Sequence, residues 1–184
     1  MKVKIRRSNQ ADLEQVYQLQ LKCFAINDQW YKSNIKHYLD SGVVIVCRES
    51  GTLIGVLLQG PITPCNQKYN IEDINNNTDY KEDIFEPVND LGRFFFNELM
   101  HFKELYGIVM ICIDPDFRGR GLGKKLIEKH WYDNPGKIVC LNTRRSNISA
   151  YSLYKSMGYE HIAFIKNKYF LPTEDSVFMV KDLF

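Results

Sequence analysis

The chain has 184 residues, of which 45% are hydrophobic and 25% are charged. These values are typical of a globular protein and exclude a collagen-like, coiled-coil or globally disordered chain. Lys and Arg number 24 against 22 Asp and Glu, so the chain lacks the strong basic excess of many nucleic-acid-binding domains. We therefore expect no nucleic-acid partner. At roughly 100–200 residues per domain, the length predicts a single domain spanning 1–184.

Hydrophobic periodicity predicts the elements of the N-terminal third. Alternating residues over 3–7 indicate a strand, and the helical spacing of Leu13, Val16 and Tyr17 indicates a helix over 11–24. A second helix is predicted over 29–39. Two strands over 43–48 and 52–58, separated by Glu49-Ser50-Gly51, are typical of a hairpin, and Pro61 is expected to end the second strand.

An acidic insertion is predicted between about residues 60 and 100. Positions 71–90 hold seven acidic residues against one lysine. A loop this long is typical of a functional or disordered segment. A helix over 89–103 is expected to follow it.

The C-terminal half alternates strands and helices. A nearly continuous apolar run over 105–113 predicts a strand buried on both faces. Helices are predicted over 121–131 and 147–157, with strands over 137–142, 160–165 and 176–181. The whole order predicts an α/β fold with a mixed sheet and no internal repeat.

Targeting signals and metal motifs are missing from the sequence given. Its first residues lack the apolar core of a secretory signal, and its longest apolar runs fall short of the ~20 residues of a membrane helix. We therefore expect a cytoplasmic protein, with the nucleus possible, and no membrane partner. The five cysteines form no CxxC pair, so we expect buried thiols and no metal site.

A glycine-rich loop follows the apolar strand over 105–113. Glycines let the backbone approach a ligand closely, and a helix start offers unpaired N–H groups with a partial positive charge. Together with basic side chains they favour a phosphate or pyrophosphate. The spacing fits neither the GxxxxGK[ST] motif of ATPases nor the GxGxxG motif of dinucleotide-binding folds. The loop reads Arg118, Gly119, Arg120, Gly121, Leu122, Gly123 and Lys124.

This loop resembles the [Q/R]-x-x-G-x-[G/A] motif of the GCN5-related N-acetyltransferase (GNAT) superfamily. A second segment, Asn147-x-x-Ala150-x-x-Leu153-Tyr154 followed by Gly158-Tyr159, resembles that family's later signature. The resemblance implies the GNAT fold, with a mostly antiparallel central sheet flanked by helices, and acetyl-CoA as the cofactor. It also implies an enzyme that transfers an acetyl group directly to a primary amine.

The resemblance assigns roles to individual residues. Loop residues 118–124 are expected to hold the coenzyme A pyrophosphate. The preceding strand, at Ile111, Cys112 and Ile113, is expected to pair with the pantetheine arm. Asn147 is both a good N-cap and the family's coenzyme A contact, and the two roles can coexist. Tyr154 is expected to lie near the thioester sulfur and to donate a proton to the leaving thiolate.

The general base is not assignable from the sequence. Many family members place a glutamate where this chain has Gly107. The flanking residues Tyr106 and Glu104 are the candidates, acting directly or through an ordered water, and His101 is a more distant one.

The acceptor is predicted from two further segments, which resemble N-terminal protein acetyltransferases. Phe24, Trp30 and Tyr31 fall in their first helix–loop region, and Tyr169 falls in their C-terminal hairpin. These four residues are expected to bind a protein or peptide amine. The acidic insertion favours instead a small cationic amine, such as a polyamine, amino sugar or aminoglycoside. A non-catalytic acyl-CoA-binding module is the third possibility. We expect a monomer or a homodimer.

Overall fold

The structure is a computed structural model that describes residues 3–41, 43–62, 85–94, 105–170 and 172–182. Most of the predicted acidic insertion lies outside these residues. In chain order the elements are β1 (Val3–Arg7), α1 (Leu13–Cys23), α2 (Lys32–Asp40), β2 (Val44–Glu49), β3 (Thr52–Ile62), β4 (Phe85–Pro87), α3 (Asp90–Phe94), β5 (Leu105–Ile113), α4 (Leu122–Tyr132), β6 (Ile138–Arg144), α5 (Ile148–Ser156), β7 (Glu160–Phe170) and β8 (Thr173–Asp182).

The chain divides into two compact units. The first takes its described residues from 1–60, 106–139 and 182–184, and the second takes its own from 61–105 and 140–181. Strand order in the first unit is β1-β2-β3-β5, and in the second unit it is β6-β8-β7-β4. The registered pairs β1–β2, β2–β3, β4–β7 and β7–β8 are all antiparallel. The predicted α/β class and antiparallel character are therefore confirmed within each unit.

The core of the first unit lies between its helices and its strands. Val16 of α1 and Ile35 of α2 are fully buried in one cluster with Val44, Val56 and Met110. Phe24 and Trp30 of the α1–α2 connection pack against this cluster. It therefore fixes the connection on which three of the predicted acceptor-binding residues lie.

The core of the second unit forms around the hairpin of β7 and β8. Phe178 of β8 is fully buried, and its ring contacts that of Phe85 edge-to-face at 5.9 Å between centroids. Strand β4, which holds Phe85, was not predicted from the sequence. Phe85 lies in a mostly acidic and polar stretch of sequence, which shows no periodicity typical of a strand.

The prediction that Pro61 ends the second strand of the hairpin was wrong, since β3 continues to Ile62. The registered pairing of β3 with β2 stops at Val44 and Leu58. Proline is tolerated in a strand where its missing N–H is not needed by a neighbour. Pro61 lies beyond the pairing with β2 and is exposed, so it does not interrupt the strand.

The last hairpin is longer than predicted, and a local irregularity explains the difference. The register of β7 and β8 shifts between Ile165 and Tyr169, where Asn167 adopts a left-handed φ of 53°. The Asn167 N–H donates to Asp175 Oδ1 at 3.1 Å, and Lys166 Nζ lies 3.1 Å from Asp175 Oδ2. The Asp175 carboxylate of β8 therefore keeps the polar residues Lys166 and Asn167 within strand β7. None of the helices in the described ranges is long and apolar enough to cross a membrane.

Candidate active site

The glycine loop begins with a tight turn at the end of β5. Asp114 accepts a hydrogen bond from the Asp116 N–H at 3.0 Å, and its own N–H donates to the Ile54 carbonyl of β3 at 2.9 Å. Lys22 of α1 bridges both carboxylates, at 2.6 Å and 2.8 Å. The start of the loop is therefore tied to β3 and α1 within the first unit.

Two glycines give the loop its shape. Gly119 and Gly121 have φ of +74° and +71°, in the left-handed region that strongly favours glycine. A Cβ added at either position would meet nothing within 4 Å, so the backbone angle, not crowding, requires glycine. Gly121 is also the residue from which α4 starts, and no side chain among the described residues caps this start. The first-turn N–H groups, including those of Leu122, Gly123 and Lys124, therefore form a start suited to an anion.

The two arginines of the loop are engaged with the protein itself. Arg118 Nε donates to the Ile113 carbonyl at 3.2 Å. Arg120 forms two hydrogen bonds with the carboxylate of Glu49, at 2.6 Å and 3.1 Å. Lys124 is exposed on the first turn of α4. Of the three predicted phosphate cations, two thus have carbonyl or carboxylate partners in this structure.

The strand residues predicted to pair with pantetheine lie at the end of β5. Cys112 is buried, whereas Ile111 and Ile113 are half-buried. The Cys23 thiol at the end of α1 donates to the Ile113 carbonyl at 3.3 Å. A hydrogen bond with Cys112 lowers the pKa of Cys23 and, together with burial, raises that of Cys112.

The predicted acceptor-binding residues Phe24, Trp30 and Tyr31 lie on the connection between α1 and α2. Phe24 and Trp30 are half-buried and pack against the core cluster of the first unit, whereas Tyr31 is 80% exposed. The buried amide of Gln20 holds this connection. Its Oε1 accepts from the Trp30 N–H at 3.0 Å, and its Nε2 donates to the Trp30 carbonyl at 3.3 Å.

Tyr106 belongs to a polar cluster inside the first unit. Its ring stacks on the imidazole of His130, with 6.3 Å between centroids and 16° between planes. His130 is fully buried, and its Nδ1 lies 2.5 Å from Gln59 Oε1. Because an amide oxygen only accepts, this contact assigns the proton to Nδ1. Burial raises the pKa of Tyr106 and lowers that of His130 to about 4, so both are neutral at pH 7.

Tyr154 lies in the second turn of α5, in the second unit. Its side chain is buried, and its ring contacts that of Tyr159 at 5.8 Å. Burial raises the pKa of Tyr154 far above its usual value, and the neighbouring Tyr159 and Tyr169 raise it further. The hydroxyl therefore keeps its proton through the neutral range. Tyr169 also has the guanidinium of Arg144 over its ring at 4.2 Å.

Asn147 caps α5, as predicted. Its Oδ1 accepts from the Ala150 N–H at 3.2 Å and from the Ser149 hydroxyl at 3.1 Å. The side chain is exposed. The capping role is thus confirmed, and the coenzyme A contact stays a prediction.

Some candidates cannot be placed, and others were missed. Glu104 and His101 lie outside the described residues. Gln20, Glu49 and His130 were not predicted as site residues. A buried glutamine on the apolar face of α1 is a detectable signal, since Gln20 follows Leu19 and lies four residues after Val16. Glu49 and His130 act through partners 71 residues away, which the sequence does not pair.

Comparison with known proteins supports the sequence resemblance. Residues 89–161 match the family model described as an acetyltransferase (GNAT) domain. The matched range contains the glycine loop, α4 and α5. It therefore includes both signature segments identified from the sequence.

Two curated bacterial proteins are similar over part of their length. The chain is 30% identical over 77 residues to the N-alpha-acetyltransferase RimI of Mycobacterium tuberculosis, covering 42% of this chain and 49% of that protein. It is 39% identical over 77 residues to the [ribosomal protein bS18]-alanine N-acetyltransferase of Salmonella typhimurium, covering 38% and 50%. The chain thus spans about half the length of the curated relatives it matches.

The fold is similar to that of a solved structure over nearly the full chain. The crystal structure of Arabidopsis thaliana NAA60 in complex with acetyl-CoA superposes with a TM-score of 0.69 at 19% identity, covering 98% of this chain and 99% of that one. At this identity the likeness shows the fold. The chain therefore has the GNAT fold, and residues 89–161 match the model of the GNAT acetyltransferase domain.

Proposed function

We propose that this protein is an acetyl-CoA-dependent N-acetyltransferase whose acceptor is a protein or peptide amine. The observation that carries the proposal is the loop in which two left-handed glycines open onto the uncapped start of α4. Such a start binds anions through main-chain N–H groups. A pyrophosphate has the charge and size for it.

The residues present fit coenzyme A. We assign the pyrophosphate to the N–H groups of 119–124, with the exposed Lys124 adding charge. Ile111, Cys112 and Ile113 are assigned to the pantetheine arm. Acetyl-CoA, when bound, supplies an acetyl group activated as a thioester.

Tyr154 is assigned as the proton donor. Its raised pKa keeps a proton on Oη at neutral pH, which is the state that an acid requires. As the amine nitrogen forms the new C–N bond and the C–S bond breaks, Oη delivers that proton to the departing sulfur. The products are an amide and a thiol.

The amine must also lose a proton. Because its own pKa is raised, Tyr106 is a poor base at pH 7, and its hydroxyl is better suited to donating a hydrogen bond to an ordered water or to the acceptor. Glu104 remains the candidate carboxylate. A 10-fold or larger loss of kcat in Glu104→Gln, at unchanged affinity for coenzyme A, is the result expected of a base.

A peptide acceptor is supported by two observations. Of the two relatives named above, one is called an N-alpha-acetyltransferase and the other a ribosomal-protein alanine N-acetyltransferase. On this chain, the α1–α2 connection exposes Ile26 and Tyr31, each 80% exposed, on a segment held by Gln20. An apolar side chain and an aromatic ring suit the first residues of an extended peptide. We place this activity in the cytoplasm.

The test measures coenzyme A release with a panel of peptides of varied N-terminal residue, and with a second panel of polyamines and amino sugars. We expect turnover with peptides that depends on the free α-amine and is lost on N-terminal blocking. Turnover confined to the second panel would instead favour the small cationic amine suggested by the acidic residues at 71–90.

Ligand binding is tested separately. At 100 times its Kd, acetyl-CoA should stabilise the fold by about 2.7 kcal/mol, which raises Tm by roughly 5–10 °C for a chain of this size. Binding without turnover on either panel would support the non-catalytic module. The absence of any shift in Tm would overturn the proposal.

A further inference from the structure

An ion pair connects the glycine loop to the end of β2. The carboxylate of Glu49, whose side chain is 9% exposed, receives Arg120 Nη2 on Oε1 at 2.6 Å and Nη1 on Oε2 at 3.1 Å. The guanidinium also lies over the ring of Phe117, at 5.3 Å from its centroid. Arg120 is thus held on two sides, in the paired geometry that makes arginine–carboxylate contacts specific.

Arg120 lies in the part of the loop that has the greatest backbone freedom. It stands between Gly119 and Gly121, the two left-handed glycines. Glycine has the largest backbone freedom of any residue. A stretch with two glycines therefore loses more conformational entropy, when it becomes ordered around a ligand, than the same stretch of other residues would. Arg118 fixes the same loop from the other side, through its bond to the Ile113 carbonyl.

We propose that Glu49 is a positioning residue for coenzyme A, and that Arg120 holds the loop in its binding shape instead of contacting phosphate. The pair keeps the N–H groups of 119–121 ordered before the ligand arrives, so less entropy is lost on binding. This inference rests on the proposed function of the loop.

Removing the charge of Glu49 tests the inference, because the competing explanations predict opposite changes in coenzyme A affinity. Glu49 is an anion beside a site for anions, so on Coulomb grounds alone Glu49→Gln should strengthen coenzyme A binding. If Arg120 were a phosphate ligand, the same change would release it and strengthen binding further. Preorganisation requires the opposite sign. We expect Glu49→Gln to weaken binding about 5- to 10-fold, the scale of one or two lost ordering contacts.

A double-mutant cycle identifies the pair as the cause. Kd is measured by calorimetry for Glu49→Gln, Arg120→Gln and the double variant. We expect both single variants to lose affinity, Arg120→Gln somewhat more because it also removes a positive charge, and the double variant to lose no more than Arg120→Gln, because all three break one interaction. A much larger loss in Arg120→Gln than in Glu49→Gln would mean that Arg120 contacts phosphate and would overturn the proposal.

Ligands with and without the pyrophosphate distinguish an effect on the glycine loop from an effect on the rest of the site. Coenzyme A and 3′-dephospho-coenzyme A both contain the pyrophosphate, whereas S-acetylpantetheine lacks it. We expect Glu49→Gln to raise KM for acetyl-CoA with kcat unchanged, to weaken binding of both coenzymes equally, and to leave kcat/KM for S-acetylpantetheine unchanged. Asp40→Asn, which removes the exposed Lys36–Asp40 pair of α2, is the control and should change none of these.

A ligand-free measurement completes the test. Hydrogen exchange of the amides of 119–121 should be faster in Glu49→Gln than in the wild type, at similar exchange of α4. Unchanged exchange and unchanged Kd, in a wild type that binds coenzyme A, would overturn the role of Glu49 alone. A wild type that binds no coenzyme A would overturn the proposed function and this inference with it.

Discussion

The starts of α4 and α5 are built in opposite ways. Helix α4 follows a left-handed glycine, Gly121, and no side chain within the described ranges caps it, whereas α5 follows Asn147, whose Oδ1 caps the Ala150 N–H. A capped start uses its own donors for stability. An uncapped one leaves them open to water or to a ligand. The difference supports the proposal that a ligand binds at the start of α4, whereas the proposed chemistry of α5 depends on a side chain further along it, Tyr154.

The largest effect should come from the tyrosine. Tyr154→Phe removes the proton donor and should lower kcat by about 100-fold or more, with an unchanged Kd for coenzyme A, because a general acid contributes roughly 10²–10⁴ in rate. Steady-state kinetics and calorimetry measure the two quantities.

Tyr151, on the same helix and half-buried against His161, provides the matched control. Tyr151→Phe should leave kcat unchanged. Equal losses in the two variants would mean that α5 contributes packing and not a proton, and the division of roles between the helices would fail.

The last turn of α4 provides a pH-dependent effect on stability. Burial lowers the pKa of His130 from its ordinary 6.5 to about 4 in the folded state. Between these pH values the unfolded chain binds a proton that the folded chain does not, so acid favours unfolding. Stability is full above pH 6.5 and is lost as pH falls toward 4, by up to about 3 kcal/mol. Coenzyme A affinity, which we propose is set at the other end of the helix, should follow only the folded fraction.

Chemical denaturation at several pH values measures this slope. His130→Asn keeps a donor toward Gln59 and should flatten the slope between pH 6.5 and 4.5, although the smaller side chain lowers stability at neutral pH. His37→Gln, on the exposed side of α2, is the control. Persistence of the full slope in His130→Asn would assign the acid sensitivity to other groups.

The helix starts were predictable from the sequence because their causes are local. Glycines at 119 and 121 permit a backbone angle that other residues resist, and asparagine is a preferred N-cap. The contacts around them were not predictable, because they join distant segments. Glu49 meets Arg120 only when β2 reaches the loop, and Gln59 of β3 meets His130 only when α4 packs in the first unit.

Pro61 and Asn167 show a second reason why prediction fails. Each is a turn-former by type, yet both lie within strands. The pairing with β2 ends before Pro61, and Asp175 accepts the N–H of Asn167. Whether a turn-former ends a strand is decided by its neighbours in space, which local propensity does not include.

A smaller effect than that of His130 is expected from replacing the glycine at the start of α4. Gly121→Ala adds a Cβ where φ is +71°, so about 1 kcal/mol of backbone strain is expected, in open space. If the strained loop relaxes away from its binding shape, coenzyme A binding should weaken by about 5-fold with kcat unchanged. Gly51→Ala is closely matched, since its φ is +88° and nothing lies within 4 Å of its added Cβ. Gly51→Ala should lower Tm by about as much as Gly121→Ala does, but it should leave the Kd for coenzyme A unchanged. Equal losses of affinity in the two variants would show general destabilisation.

The smallest effect concerns the cap of α5. Asn147→Ala should lower the free energy of unfolding by about 1 kcal/mol, because the Ala150 N–H loses its acceptor, and Asn147→Ser should recover most of it. Denaturant unfolding measures both. The same two variants decide whether Asn147 also contacts coenzyme A, since serine restores the cap but not the amide. If Asn147→Ser is as stable as the wild type and binds coenzyme A equally well, the start of α5 is purely structural and the contrast with α4 is complete. Stability restored with affinity lost would give Asn147 both roles, because one exposed side chain would then cap the helix and bind the ligand.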